Sequence, residues 1–180
     1  SGFATGTLSC EDEVLRKKLN EIINIALLAV KALKIDNSFF SADVILSEKG
    51  PILLECGILL DAKIDRLLNF AGVDVYTTMC KIASGENIHG LPPILQKGYA
   101  LKFMFATKEG KLKVGHTDNA KTSFGNKISL IEWEKNNEDL VNPPKSIADT
   151  LGWVITEGYD QRVAYGLAKK ISEGVNYEII

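Results

Sequence analysis

The stretch DVILSEKGPILLECG, from Asp43 to Gly57, constrains the fold of this chain more than any other. Two short apolar runs separated by Glu48-Lys49-Gly50 read as an antiparallel hairpin spanning 39–56. Gly50 supplies the positive φ that a three-residue loop demands. With Ser47 facing Pro51, the pairing counts outward to Ile45 opposite Leu53 and Asp43 opposite Glu55. Side chains alternate along a strand, so Asp43 and Glu55 are expected on one face and Val44, Leu46, Ile52 and Leu54 on the other. Like charges directly opposite destabilise a strand pair. Either the two carboxylates are solvated strand ends, or something offsets their repulsion.

A divalent cation would do so. Mg²⁺ is usually held by one or two carboxylates together with phosphate oxygens, and facing carboxylates on neighbouring strands make such a half-shell.

The hairpin sits in an alternation of elements. Leu15, Leu19, Ile22, Ala26, Ala29, Val30 and Leu33 recur at three- and four-residue steps, which predicts a helix from about Ser9 to Leu33. Ser9 and Asp12 suit its start as a cap. Helices of about Ala62–Ala71 and Asp74–Ser84 are each stopped by a glycine, Gly72 and Gly85. Gly90-Leu91-Pro92-Pro93 breaks regular structure and divides the chain into lobes at 1–90 and 91–180. Strands are then expected at Tyr99–Thr107, Lys111–Val114, Ile128–Glu134 and Leu151–Thr156, with a polar loop over Lys135–Asp149. A helix at Asp160–Ser172 and a strand at Val175–Ile180 close the chain. The order is that of an α+β protein.

Composition excludes several function classes. A net charge of −2 gives no general attraction to nucleic acid or to anionic membranes. The apolar runs are too short to span a bilayer. Cys10, Cys56 and Cys80 are odd in number and have no paired metal spacing, which fits a reducing cytoplasm. His89 and His116 lack partners at ligand spacing, which argues against zinc. Cys56 has no base near it in sequence and is expected on the apolar face with Leu54. Trp133 and Trp153 read as core.

Residues 41–86 resemble the catalytic C-terminal lobe of ATP-grasp ligases. The matching features are Asp43 on one strand, the Gly50 turn, Glu55 on the next strand, Ala71-Gly72-Val73-Asp74-Val75, and Gly85-Glu86. LGWVITEGYDQRVAYGLAKKI, residues 151–171, resembles the last strand, turn and helix of the carbamoyl-phosphate-synthetase-like and amino-acid-ligase-like branch. The resemblance implies an ATP-grasp C-terminal lobe (an antiparallel sheet flanked by helices) followed by a small strand-rich closing subdomain. It implies Mg²⁺ or Mn²⁺ on Asp43 and Glu55, with ATP and a small carboxylate as partners in the full-length enzyme. In such enzymes a carboxylate is activated as an acyl-phosphate and joined to an amine or similar nucleophile.

The chain also departs from that pattern. Where the family has Glu-x-Asn, this sequence has Glu55-Cys56-Gly57; Leu59 replaces an arginine, and Asp61-Ala62-Lys63 replace substrate-side glycines. Lys63 or Arg66 could return a positive charge. The nucleotide lobe with its phosphate lysines lies N-terminal to the matched region, so the chain is expected to turn over no ATP alone. Two readings stay open: the C-terminal half of an ATP-dependent carboxylate ligase, or a degenerate non-catalytic module for binding or assembly. An exposed sheet edge would favour a homodimer.

Overall fold

The computed structural model describes residues 6–8, 13–58, 60, 63–86, 97–115, 121–124 and 127–180. Its elements in chain order are β1 (Gly6–Leu8), α1 (Glu13–Ala32), β2 (Ser41–Ser47), β3 (Gly50–Gly57), α2 (Ile64–Phe70), α3 (Val75–Ala83) and β4 (Gly98–Phe105). After these come β5 (Gly110–Val114), β6 (Lys121–Phe124), β7 (Lys127–Trp133), β8 (Leu140–Val141), β9 (Thr150–Gly158), α4 (Gln161–Gly174) and β10 (Tyr177–Ile179). They divide into two compact units: Cys10–Ile94, and Leu95–Ile180 joined by Ser1–Ser9.

The first unit is built on the β2–β3 hairpin, with α1 packed against β3. Ile22, Ile25, Ala26, Ala29 and Val30 are half-buried at helical spacing, while Ile23, Leu27 and Leu28 are exposed. Leu33 falls beyond the end of α1 and is exposed rather than packed. Ser9 and Asp12, the expected cap, and the side chains of Leu15 and Leu19 lie outside the described residues. Both later helices stop where glycine permits it. Gly72, at φ 88°, donates its N–H to the Asn69 carbonyl at 3.0 Å, and Val73 donates to Leu68 at 2.9 Å. Gly85, at φ 84°, repeats the pattern with Ile82 and Glu86 with Lys81, the double bond that closes a helix on a left-handed residue. Asp74 opens α3 by accepting from the Thr77 N–H at 2.9 Å. That bond holds its carboxyl below the usual carboxylate range.

The second unit carries a five-stranded sheet in the order β1-β4-β9-β7-β6, its pairs all antiparallel, and a three-stranded sheet in the order β10-β5-β8. β9 is buried along most of its length, and α4 lies on it and on β4. Ala164 and Ala168 of α4 meet Ala100 of β4, and these small side chains bring the helix close to the sheet. The Thr156 hydroxyl, buried beneath α4, donates to the Ala164 carbonyl at 2.6 Å. Beyond them Met104, Leu112, Ile131, Leu151, Val154, Ile171 and Ile179 form one core. Trp153 is buried, and Trp133 packs edge-on to Tyr177 with ring centroids 6.0 Å apart.

The α+β class holds, with three differences in detail. The expected loop over Lys135–Asp149 contains β8 and a one-turn 3-10 helix, Ile147–Asp149, closed by a reciprocal Ser146–Asp149 cap. β6 pairs antiparallel with β7, with Phe124 opposite Lys127. β1 adds an edge strand beside β4 from the far end of the sequence. The Gly90–Pro93 break lies outside the described residues.

Candidate functional site

The hairpin turns more tightly than the sequence suggests. Ser47 pairs with Gly50, so the loop is the two residues Glu48-Lys49, not a three-residue loop with Ser47 facing Pro51. Ser47 itself fixes this turn: its hydroxyl donates to the Gly50 carbonyl at 2.8 Å and accepts from the Lys49 N–H at 3.2 Å. Gly50 sits at φ 116°, where a side chain would be strained. The tighter turn moves the register by one residue, giving Leu46–Pro51, Ile45–Ile52 and Val44–Leu53.

A one-residue slip sends every side chain of a strand to the other face. Continued outward, it would set Asp43 against Leu54. Instead the register shifts between Asp43 and Val44, leaving Leu54 as the extra residue of a β-bulge. The slip is undone, and Asp43 lies opposite Glu55, Ala42 opposite Cys56, and Ser41 opposite Gly57. The carboxylates face each other as the sequence predicts, by a different route.

The route decides what surrounds them. Val44, Leu53 and Cys56 are half-buried, whereas Ile45, Ile52 and Leu54 are about half or more exposed. The expected grouping of Val44, Leu46, Ile52 and Leu54 on one face therefore fails, and Cys56 does not share a face with Leu54. Asp43 and Glu55 are themselves exposed. They border an open cavity of about 620 Å³ lined by Ser41, Asp43, Glu55, Cys56, Gly57, Ile58 and Leu60. Among the described residues neither carboxylate has an ion-pair partner.

Two facing carboxylates are hard oxygen donors of the kind Mg²⁺ and Mn²⁺ accept, with several positions left for water or phosphate. Among the described residues no cluster of three or more His, Cys, Asp or Glu could enclose a metal by protein ligands alone. The donor set thus fits an ion shared with a ligand better than a closed structural site. Of the expected auxiliary cations, Arg66 is exposed and lies 3.8 Å from its neighbour Asp65, and Tyr76 also donates a hydrogen bond to Asp65. Lys63 precedes α2 in the left-handed region at φ 67°, and the helix runs from Ile64. Leu59, Asp61, Ala62, His89 and His116 lie outside the described residues.

No protein-family model and no curated protein sequence matches the chain. Solved structures do match it in fold. Phosphoribosylglycinamide synthetase from Anaerococcus prevotii superposes with a TM-score of 0.73 at 19% identity, over 98% of this chain and 45% of that one. L-amino acid ligase from Bacillus licheniformis superposes with a TM-score of 0.71 at 10% identity, over 97% of this chain and 43% of that one. Both neighbours are ATP-grasp ligases, and the chain has the fold of part of such enzymes, spanning less than half the length of either.

Proposed function

We propose that this chain, which has the ATP-grasp ligase fold, is the C-terminal half of an ATP-dependent carboxylate ligase whose Mg²⁺ or Mn²⁺ site is formed by Asp43 and Glu55. One observation carries the proposal: the Leu54 bulge places the two carboxylates opposite each other at the rim of an open cavity. Their role is to hold a cation that, when bound, screens phosphate charge during activation of a carboxylate as an acyl-phosphate. The exposed Ile45, Ile52 and Leu54 beside them supply an apolar surface suited to a flat ligand such as a nucleotide base. An amine or similar nucleophile would then take the activated carboxyl group. The nucleotide-binding lobe belongs to the remainder of such an enzyme, and the small carboxylate is its substrate. Cys56 and Cys80 are free thiols, which supports the reducing cytoplasm as its compartment.

A second reading has its own observation. Gly57 stands two residues after Glu55, where the ATP-grasp pattern has an asparagine, and a hairpin that has lost that oxygen could persist as a non-catalytic binding module.

The two readings separate in a melting experiment. For a cation with millimolar affinity, tenfold excess over Kd stabilises the fold by about 1.4 kcal/mol. In a chain of this size that raises Tm by about 4 °C. Asp43→Asn and Glu55→Gln should each abolish the response to Mg²⁺ and Mn²⁺. A melting curve indifferent to both ions at tens of millimolar would remove the cation site and leave the module.

A further inference from the structure

We propose that Ser41 supplies a third protein oxygen to the cation held by Asp43 and Glu55, reaching from β2 into the place that Gly57 leaves without a side chain. The proposal rests on the carboxylate site above and adds a ligand to it. Three observations place the hydroxyl there. Ser41 lies directly opposite Gly57 in the ladder, two steps beyond the Asp43–Glu55 pair. The register shift falls between Asp43 and Val44, so β2 runs regularly from Ser41 to Asp43 and the two share a face. Ser41 also lines the same cavity as both carboxylates.

Directly opposed residues in an antiparallel pair hold their Cβ atoms about 5 Å apart. An oxygen on residue 41 and one on residue 57 therefore address the same volume from opposite strands. The Ser41 hydroxyl is weakly engaged at present: it donates to the Gly57 carbonyl at 3.4 Å. Hydroxyl bonds ordinarily run at about 2.5–3.0 Å. Turning its lone pairs toward a cation gives up little and adds a hard, neutral oxygen, the kind of ligand a serine or threonine hydroxyl gives to Mg²⁺ in phosphate-binding loops. Unlike an amide oxygen, the hydroxyl keeps a proton to donate to water or a phosphate oxygen on the same ion. Gly57 leaves the site a shorter and weaker donor, not an empty corner.

Mn²⁺ binding to the 180-residue chain, read from the electron paramagnetic resonance signal of the free ion, tests this. Ser41→Ala should weaken binding by about tenfold, a loss of the size that perturbed metal shells show. Adding Gly57→Asn to Ser41→Ala should recover most of it. Ser41→Cys with Cd²⁺ should give an ultraviolet thiolate-to-metal absorption band stronger than that of the unsubstituted chain, whose own three cysteines set the baseline, and Asp43→Asn should remove the excess. If Ser41→Ala is found unfolded by circular dichroism, the cadmium band decides alone. Unchanged Mn²⁺ affinity in folded Ser41→Ala, or no excess band in Ser41→Cys, overturns the role of Ser41 and leaves the carboxylate site standing. Failure of the unsubstituted chain to bind Mn²⁺ overturns both.

Discussion

The two units treat their apolar residues in opposite ways. In the sheet unit Leu101, Leu112, Leu151, Val154 and Ile155 are fully buried. In the hairpin unit only Val75 is buried among the described apolar residues, while Ile23, Leu27, Leu28, Ile45, Ile52, Leu54 and Ile58 stay exposed. The first is a self-contained core. The second presents its apolar surface together with its paired carboxylates. A hairpin supported on one face by one helix derives little stability from packing, and an open apolar face beside charges is the composition of a ligand surface. The stable part of the chain and its chemical part are therefore different parts.

The sharpest way to break that comparison is to truncate one side chain in each unit. Leu101→Ala should cost about 3–4 kcal/mol because it leaves a cavity inside the sheet unit. Leu54→Ala should cost under about 0.5 kcal/mol, as exposed substitutions do. Chemical denaturation measures both, and equal losses would show that the hairpin face is covered in solution.

Glycines give a second contrast, inside the sheet unit. A Cβ on Gly152 would meet the Glu132 carbonyl oxygen at 2.2 Å and the Trp133 Cα at 2.9 Å, both rigid backbone. Gly152→Ala should therefore destabilise by about 2–3 kcal/mol through forced separation of β7 and β9. Gly166, within α4, has no atom within 4 Å of such a Cβ. Gly166→Ala should stabilise by about 0.5–1 kcal/mol by restricting the unfolded chain. A neutral Gly152→Ala would mean that β7 and β9 are less tightly joined than their register indicates.

The hairpin carboxylates bear on the comparison at smaller scale. Without metal, Asp43→Asn should stabilise by a few tenths of a kcal/mol, because it removes a like-charge pair exposed to water. A marked loss of stability would show that Asp43 holds the hairpin together rather than serving a ligand.

The smallest effects are expected at acid pH, with one group in each unit. Asp74 is held below the ordinary carboxylate range by the Thr77 N–H, and Asp149 by the N–H groups of Lys145 and Ser146. A lowered folded-state pKa contributes stability that is present above the unfolded value of 3.8 and is lost as pH falls through the folded value. Asp74→Ala and Asp149→Ala should each flatten part of the stability loss below about pH 4. Melting temperatures measured down that range check it, and an unchanged acid slope in either variant would remove that group from the linkage.

Periodicity along single segments was legible in the sequence wherever one element decides its own form. The Gly72 and Gly85 stops, the α4 stripe of Ala164, Ala168 and Ile171, and the burial of Trp153 follow from spacing and residue type. Elements whose existence depends on a distant partner were not legible. β1 is a strand because β4 lies beside it, and Leu140-Val141 form β8 because β5 offers Gly110 and Lys111.

By itself the sequence determined that a hairpin forms around Gly50 and that it carries Asp43 and Glu55 toward its open end. Only the tertiary structure decided what stands around them. Counting by twos measures distance along one strand and cannot know how many residues a turn or a bulge absorbs. The Ser47 hydroxyl tightened the turn, and the Leu54 bulge restored the parity. Together they kept the carboxylates opposed, turned Ile45, Ile52 and Leu54 outward, and set Ser41 across from Gly57. Such choices rest on packing between segments, here α1 against β3, which no single stretch of sequence contains.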